Sequence, residues 1–219
     1  MNLQELKNKI IREELEIGED YGEIFSFIDF ANVNKWFEDD KQDWNNKPLE
    51  SNEKLEIDVQ KLKIFGDVFS NRVRIYYGQD LRNSKSQSFT YFLRKVFNNK
   101  VVTKDLQRIK HYLDNIPQEQ LPFTSTDKQG YRYIEIHKCN FDVEISVDAI
   151  KMIDHYDTFC IFSGDADFVY LNNFLRKKKK KVIIFKSGHI TNLLRRSADL
   201  IINAQRVKKH IARIEKTKT

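Results

Sequence analysis

Short apolar runs separated by segments of helical period constrain most tightly what this chain can fold into. Residues 24–28, 73–77, 158–163, 182–185 and 200–202 are rich in Ile, Val and Phe, too short to be helices and too apolar to lie at a surface. Between them fall amphipathic stretches. Leu3, Leu6, Ile10, Ile11 and Leu15 recur at helical spacing over 3–17, and Leu55, Val59, Leu62, Phe65 and Phe69 share one face over 54–69. Residues 89–97 and 103–115 are further helix candidates, and 131–136 alternates like a strand. Helices are expected again over 141–156, 168–178, 190–196 and 205–215, the last of them basic. Strands alternating with helices predict an α/β fold, a central and mainly parallel sheet between two helical layers.

At 219 residues the chain can bury one substantial core, with helical additions at either end. The expected organisation is a helical extension over 1–21, a main domain over 22–204 with additions near 36–51 and 103–130, and a basic helix or tail over 205–219. The 36–51 stretch, with two tryptophans and Pro48, reads as a long loop over the sheet edge that can serve as a substrate lip. No apolar stretch approaches the roughly 20 residues of a membrane span. The first residues lack an uninterrupted apolar centre, so a signal peptide is not expected and a cytoplasmic location is the default. Cys139 and Cys160 lack a CxxC partner and read as reduced, and the five histidines show no metal spacing. The net charge of +6 is unevenly distributed. Residues 171–219 hold 15 Lys or Arg against Asp199 and Glu215, a surplus of +13, while the rest of the chain carries −7. This balance suits a polyanionic partner, with Lys177, Lys178, Lys179, Lys180, Lys181, Arg195 and Arg196 as backbone-phosphate contacts. A solvated helix end explains the lysine run alone about as well.

Carboxylates mark the ends of the apolar runs. Asp29 follows the first, with Asn32 three residues on, and Ser163-Gly164-Asp165-Ala166-Asp167-Phe168 follows the run at 158–162. Strand-to-helix turns of this kind build ligand sites in parallel sheets, although each of these acids can also cap the next helix. Asp142 and Asp148 flank the stripe Phe141, Ile145, Ala149, Met152 and Tyr156 of a core-facing helix, where an unpaired buried charge costs several kcal/mol in order of magnitude. A shared cation would satisfy all of them. Oxygen ligands without His or Cys favour Mg2+ or Mn2+. Such an ion ionises water and stabilises charge on a phosphoryl group, with Asn32 and Ser163 orienting water or ligands.

Several pieces resemble one family: Phe27-Ile28-Asp29-Phe30-Ala31-Asn32, the 138–148 segment with its Phe141-Asp142-Val143 step, the Ser163 to Phe168 turn, Lys181-Val182-Ile183-Ile184-Phe185 and Ser197-Ala198-Asp199. Together they resemble the NYN domains of the PIN-like nucleases, in particular the LabA-like branch, over about 22–204. The resemblance implies a PIN-like three-layer α/β/α sandwich and a metal-dependent ribonuclease that hydrolyses RNA by a metal-activated water. It also implies Asp29, Asp142 and Asp165 as primary metal carboxylates, Asp148 and Asp167 completing the acidic pocket, and Asn32 and Ser163 as the matching turn residues. The family often has a glycine in the turn before the penultimate strand, where this chain has the 177–181 lysine run. The additions leave substrate shape and self-association open. A different class of function is an RNA-binding adaptor that keeps the fold without the chemistry. A DxD sugar transferase reading of Asp165-Ala166-Asp167 leaves Asp29 and Asp142 unexplained.

Overall fold

The structure, a computed structural model, describes residues 2–113 and 125–216. Six strands form the central sheet: β1 (Ile24–Asp29), β3 (Arg72–Gln79), β4 (Val101–Asp105), β8 (Thr158–Phe162), β9 (Lys181–Lys186) and β10 (Leu200–Asn203). All pair in parallel, in the spatial order β10-β9-β8-β1-β3-β4. Counted along the chain within this sheet the order is 3-2-1-4-5-6, the doubly wound arrangement. Its winding reverses between β1 and β8, and the crevice outside the strand ends there is where such sheets place ligands.

Two helical layers cover the sheet, as the alternation of buried residues along each strand requires. Ile24 and Ile28 of β1 face one layer and Phe25 and Phe27 the other. The first layer holds α3 (Val59–Asp67), α4 (Ser84–Val96) and α8 (Ala204–Ile211), whose Leu62, Phe65, Leu93, Val207 and Ile211 are buried against Ile75, Phe162 and Phe185. The second holds α5 (Asp142–Lys151), α6 (Val169–Lys177) and α7 (Asn192–Arg196), which contribute Ile145, Ala149, Leu171, Leu175 and Leu194. α1 (Leu3–Glu14) buries no residue of its own, while Leu15 and Ile17 just beyond it join the first core. A short helix, α2 (Phe30–Val33), follows β1, and the 36–51 loop is pinned by Trp36 and Phe37, both buried. Cys160 is free and fully buried. Among the described residues no helix is long and apolar enough to cross a membrane.

Three expected helices are in part strands. Residues 54–57 belong to β2 (Glu53–Ile57), and 212–215 to β11 (Ala212–Lys216), which pair antiparallel beside the sheet. The helix expected from 54 therefore starts at Val59, capped by Asp58, whose Oδ1 accepts from the Gln60 and Lys61 amides at 3.0 Å. Where a helix was expected over 103–115, residues 103–112 instead form the end of β4 and β5 (Gln107–Tyr112), and 114–115 lie outside the described residues. β5 pairs with β7 (Arg132–Lys138), which also pairs with β6 (Ser125–Thr126), so the strand expected at 131–136 lies in a separate three-stranded antiparallel arm. Pro117 and Pro122, expected to punctuate this region, lie outside the described residues. The lysine turn closes without glycine because Lys179 takes the left-handed conformation, φ 63°. Its amide donates to the Arg176 carbonyl and that of Lys180 to the Leu175 carbonyl, the Schellman pattern that ends α6.

Candidate functional site

The site grows from the ends of β1 and β8, adjacent strands on either side of the reversal point. Alternation along β1 sends Phe25 and Phe27 toward the α5–α7 layer, and Asp29 continues that phase at the strand end. Across the gap the buried Ser163 donates its hydroxyl to Asp29 Oδ2 at 3.2 Å and accepts the Asp165 amide at 3.2 Å. Asn32, one turn into α2, reaches the same gap. Its Oδ1 accepts from the Gly164 amide at 3.3 Å and from the Trp36 indole Nε1 at 2.9 Å. Both partners are obligate donors, which fixes the orientation of the amide and leaves Nδ2 as a donor in the cavity that Asn32 lines. Trp36 in turn stacks on Phe162 of β8, with centroids 6.2 Å apart, and its carbonyl accepts from Ser187 Oγ at 2.9 Å.

Three further carboxylates close the site. Asp165 caps the 3-10 turn at Ala166–Phe168 by accepting the Asp167 amide at 3.0 Å, so capping and site geometry are served by one residue. Asp142 opens α5, its amide held by Asn140 Oδ1 at 2.9 Å. Asp142, Asp165 and Asp167 each offer an oxygen within 4.8 Å of the others, and Asp29 stands next to this trio rather than in it. Burial raises the Asp142 carboxyl, and the charges of Asp165 and Asp167 raise it further. Asp29 is pushed up to about 6, first by burial and then by Asp142 and Asp165, against the opposing hydrogen bonds from the Asn32 amide and Ser163. Among the described residues none of these four acids has a salt-bridge partner, and their mutual repulsion is what a cation relieves. The donor set, carboxylates alone at the mouth of a cavity, fits a hard divalent ion such as Mg2+ or Mn2+. That cavity, of about 780 Å³, is lined by Asp29, Asn32, Asp142 and Asp165 together with Trp36, Lys35, Asp39 and Lys138.

Other expected site residues lie elsewhere. Asp148 does not reach the acidic cavity. Its Oδ2 accepts from Arg74 Nη1 at 2.5 Å and from the Tyr76 hydroxyl at 2.7 Å, so β3 supplies a cation and a proton donor where a metal ion was expected. The lysine run is displaced too. Lys177 ends α6 and Lys181 begins β9, at the edge where the strands start, whereas the acids stand where the strands end. By the rise of the six-residue β9 alone the two edges are about 17 Å apart. There Lys180 donates to the Tyr156 carbonyl at 2.6 Å and Lys181 pairs with Asp20. Arg195 and Arg196 end α7, where the Arg196 carbonyl accepts from Arg176 of α6 at 3.0 Å. The expectation that this basic stretch flanks the acidic site is thus corrected by topology. The cations that line the cavity are Lys35 and Lys138, which no spacing in the sequence singled out. Asn140 was legible in principle, since an asparagine two residues before a helical aspartate is a capping signal.

Three comparisons bear on this geometry. The family model described as NYN domain matches residues 27–205, a span that begins within β1 and ends just after β10. The low amplitude and bright protein LabA of Synechococcus elongatus is 30% identical over 91 residues, covering 41% of this chain and 48% of that protein. The match therefore spans about half the length of that relative. A crystal structure of a protein of unknown function from Vibrio parahaemolyticus superposes with a TM-score of 0.53 at 17% identity, covering 85% of this chain and 94% of that one, which is a likeness of fold.

Proposed function

The chain belongs to the NYN domain family, and from that premise we propose that it is a metal-dependent ribonuclease hydrolysing RNA phosphodiester bonds. The observation that carries this reading is the set of carboxylates at the reversal point of the sheet, Asp142, Asp165 and Asp167 around one small volume with Asp29 beside them and, among the described residues, no salt-bridge partner. Asp142, Asp165 and Asp167 are the residues that would hold the ion. When bound, a divalent cation supplies neutralising charge for phosphoryl oxygens and a lowered water pKa.

The remaining work falls to the chain. Asp29, held beside the trio by the Ser163 hydroxyl and the Asn32 amide, is placed to take the proton of an attacking water. The free Nδ2 of Asn32 donates to a non-bridging phosphate oxygen, with its orientation locked by Trp36 and Gly164. Lys35 and Lys138, at the cavity wall, offset the charge of the RNA backbone beside four carboxylates.

The test is cleavage of a mixed RNA pool with Mn2+ or Mg2+, and its loss on chelation. Asp165→Asn is expected to lower the rate by about 100-fold or more while thermal melting stays within a few degrees. A parent protein that cleaves no RNA with either ion, or an Asp165→Asn variant as active as the parent, overturns the reading. RNA binding that ignores chelator in the absence of cleavage would instead identify an adaptor.

A further inference from the structure

We propose that the base of the antiparallel arm is a nucleotide subsite of single-stranded RNA, contiguous with the acidic cavity and holding the residue next to the scissile phosphate. The inference rests on the ribonuclease reading and adds to it a place for the substrate. A second cavity, of about 270 Å³, is lined by Lys104, Asp105, Gln107, Ile109, Lys138, Cys139 and Asn140, of which Asp105 accepts from Gln79 Nε2 at 3.1 Å and the last three also line the acidic cavity. The two cavities therefore adjoin at Lys138, Cys139 and Asn140.

Strand register says what the groove offers. In an antiparallel pair, directly opposed residues share a face. Gln107 opposes Lys138, and Ile109 opposes Ile136. A polar pair thus stands nearest the acids, and an apolar ledge lies one step farther out. Ile109 and Ile136 are 39% and 42% exposed, and no residue of β5, β6 or β7 is buried. The polar groups divide into occupied and available. Lys104 is committed to Glu144 at 2.7 Å and to the Asn140 carbonyl at 3.1 Å, and Asn140 Oδ1 to the Asp142 amide. The Lys138 ammonium, the Gln107 amide and Asn140 Nδ2 have no partner among the described residues. These are one cation for a phosphate, two amides for a base edge and two isoleucines for the base face. The composition matches one unpaired nucleotide, whose base can be splayed out as those of a duplex cannot.

The experiment uses the full chain carrying Asp165→Asn, with Mn2+ and a fluorescein-labelled single-stranded hexauridine RNA read by anisotropy. Lys138→Ala and Ile109→Ser are each expected to weaken binding about tenfold, and Lys138→Arg to restore it. Lys138→Ala is also expected to make the salt dependence shallower by about 0.7 in slope, one single-strand phosphate contact. Lys151→Ala, at the end of α5 remote from the acids, is expected to change nothing. All these positions are exposed, and unchanged melting curves confirm that the variants fold. Wild-type affinity in Lys138→Ala and Ile109→Ser, or tighter binding of a blunt duplex than of the single strand, overturns the subsite while the parent's cleavage leaves the ribonuclease reading standing. Failure of the parent to bind or cleave any RNA overturns both.

Discussion

Asp142 and Asp148 sit six residues apart on α5 and end in opposite electrostatic situations. Asp142, at the first turn, faces Asp165 and Asp167, while Asp148 is neutralised by Arg74 and Tyr76. From the sequence both looked alike, two acids flanking an apolar stripe, because their difference lies in β3, whose lateral position the helix pattern does not encode. Asp148→Ala removes the acceptor from a half-buried guanidinium whose Nε is already without a partner. A loss of about 1–3 kcal/mol is expected, read as a fall of several degrees in melting temperature. Metal binding is expected to persist in the folded fraction, which isothermal titration with Mn2+ would check. Asp165 was legible as both cap and ligand, and its geometry is compatible with both roles. A cap fixes one carboxylate oxygen to the backbone and leaves the other for the cavity.

At the scale of elements, the legible parts were those whose partners lie close in the sequence pattern. β1, β8 and β9 are continuous apolar runs, and α5 and α6 carry uninterrupted helical stripes, so their types followed from period alone. Residues 54–57 and 212–215 did not yield so readily. Lys54-Leu55-Glu56-Ile57 and Arg213-Ile214-Glu215-Lys216 alternate with period two, but each adjoins a helical segment whose apolar positions extend the helical count into them. Their strand character is settled by each other, across some 150 residues of chain. The arm failed for the same reason, since Leu106, Ile109, Tyr112 and Leu113 fit a helix until β7 is placed beside them. The β2–β11 ribbon is part of the fold rather than an appendage. Leu55 is 3% exposed and belongs to the same core as Val207 and Ile211. Leu55→Ala is therefore expected to cost about 2–4 kcal/mol, measurable by urea denaturation as a lower midpoint with an unchanged slope.

Across the whole molecule the charge asymmetry read from the sequence was real, but composition does not say at which end of a helix a charge emerges. α6 runs back from the acids before Lys177 begins, so the lysine turn is carried to the far edge of the sheet. Replacing Lys177, Lys178 and Lys179 by alanine is expected to leave cleavage of a six-nucleotide RNA within about twofold of the parent. The same variant should weaken binding of RNAs tens of nucleotides long, with a shallower salt dependence. A gel-shift series over RNA length, paired with short-substrate kinetics, separates the two effects.

The separation of those edges also divides capture from turnover. On the proposed function, a polyanion is expected to be drawn to the lysine pole, while the acidic site stands on the other side of the sheet. An RNA too short to reach across must find the acidic groove unaided. One long enough to reach both holds its distal segment near the carboxylates at an effective concentration set by the tether between them. On the ribonuclease reading, substrate length, ahead of substrate sequence, becomes the quantity to which the rate is expected to respond.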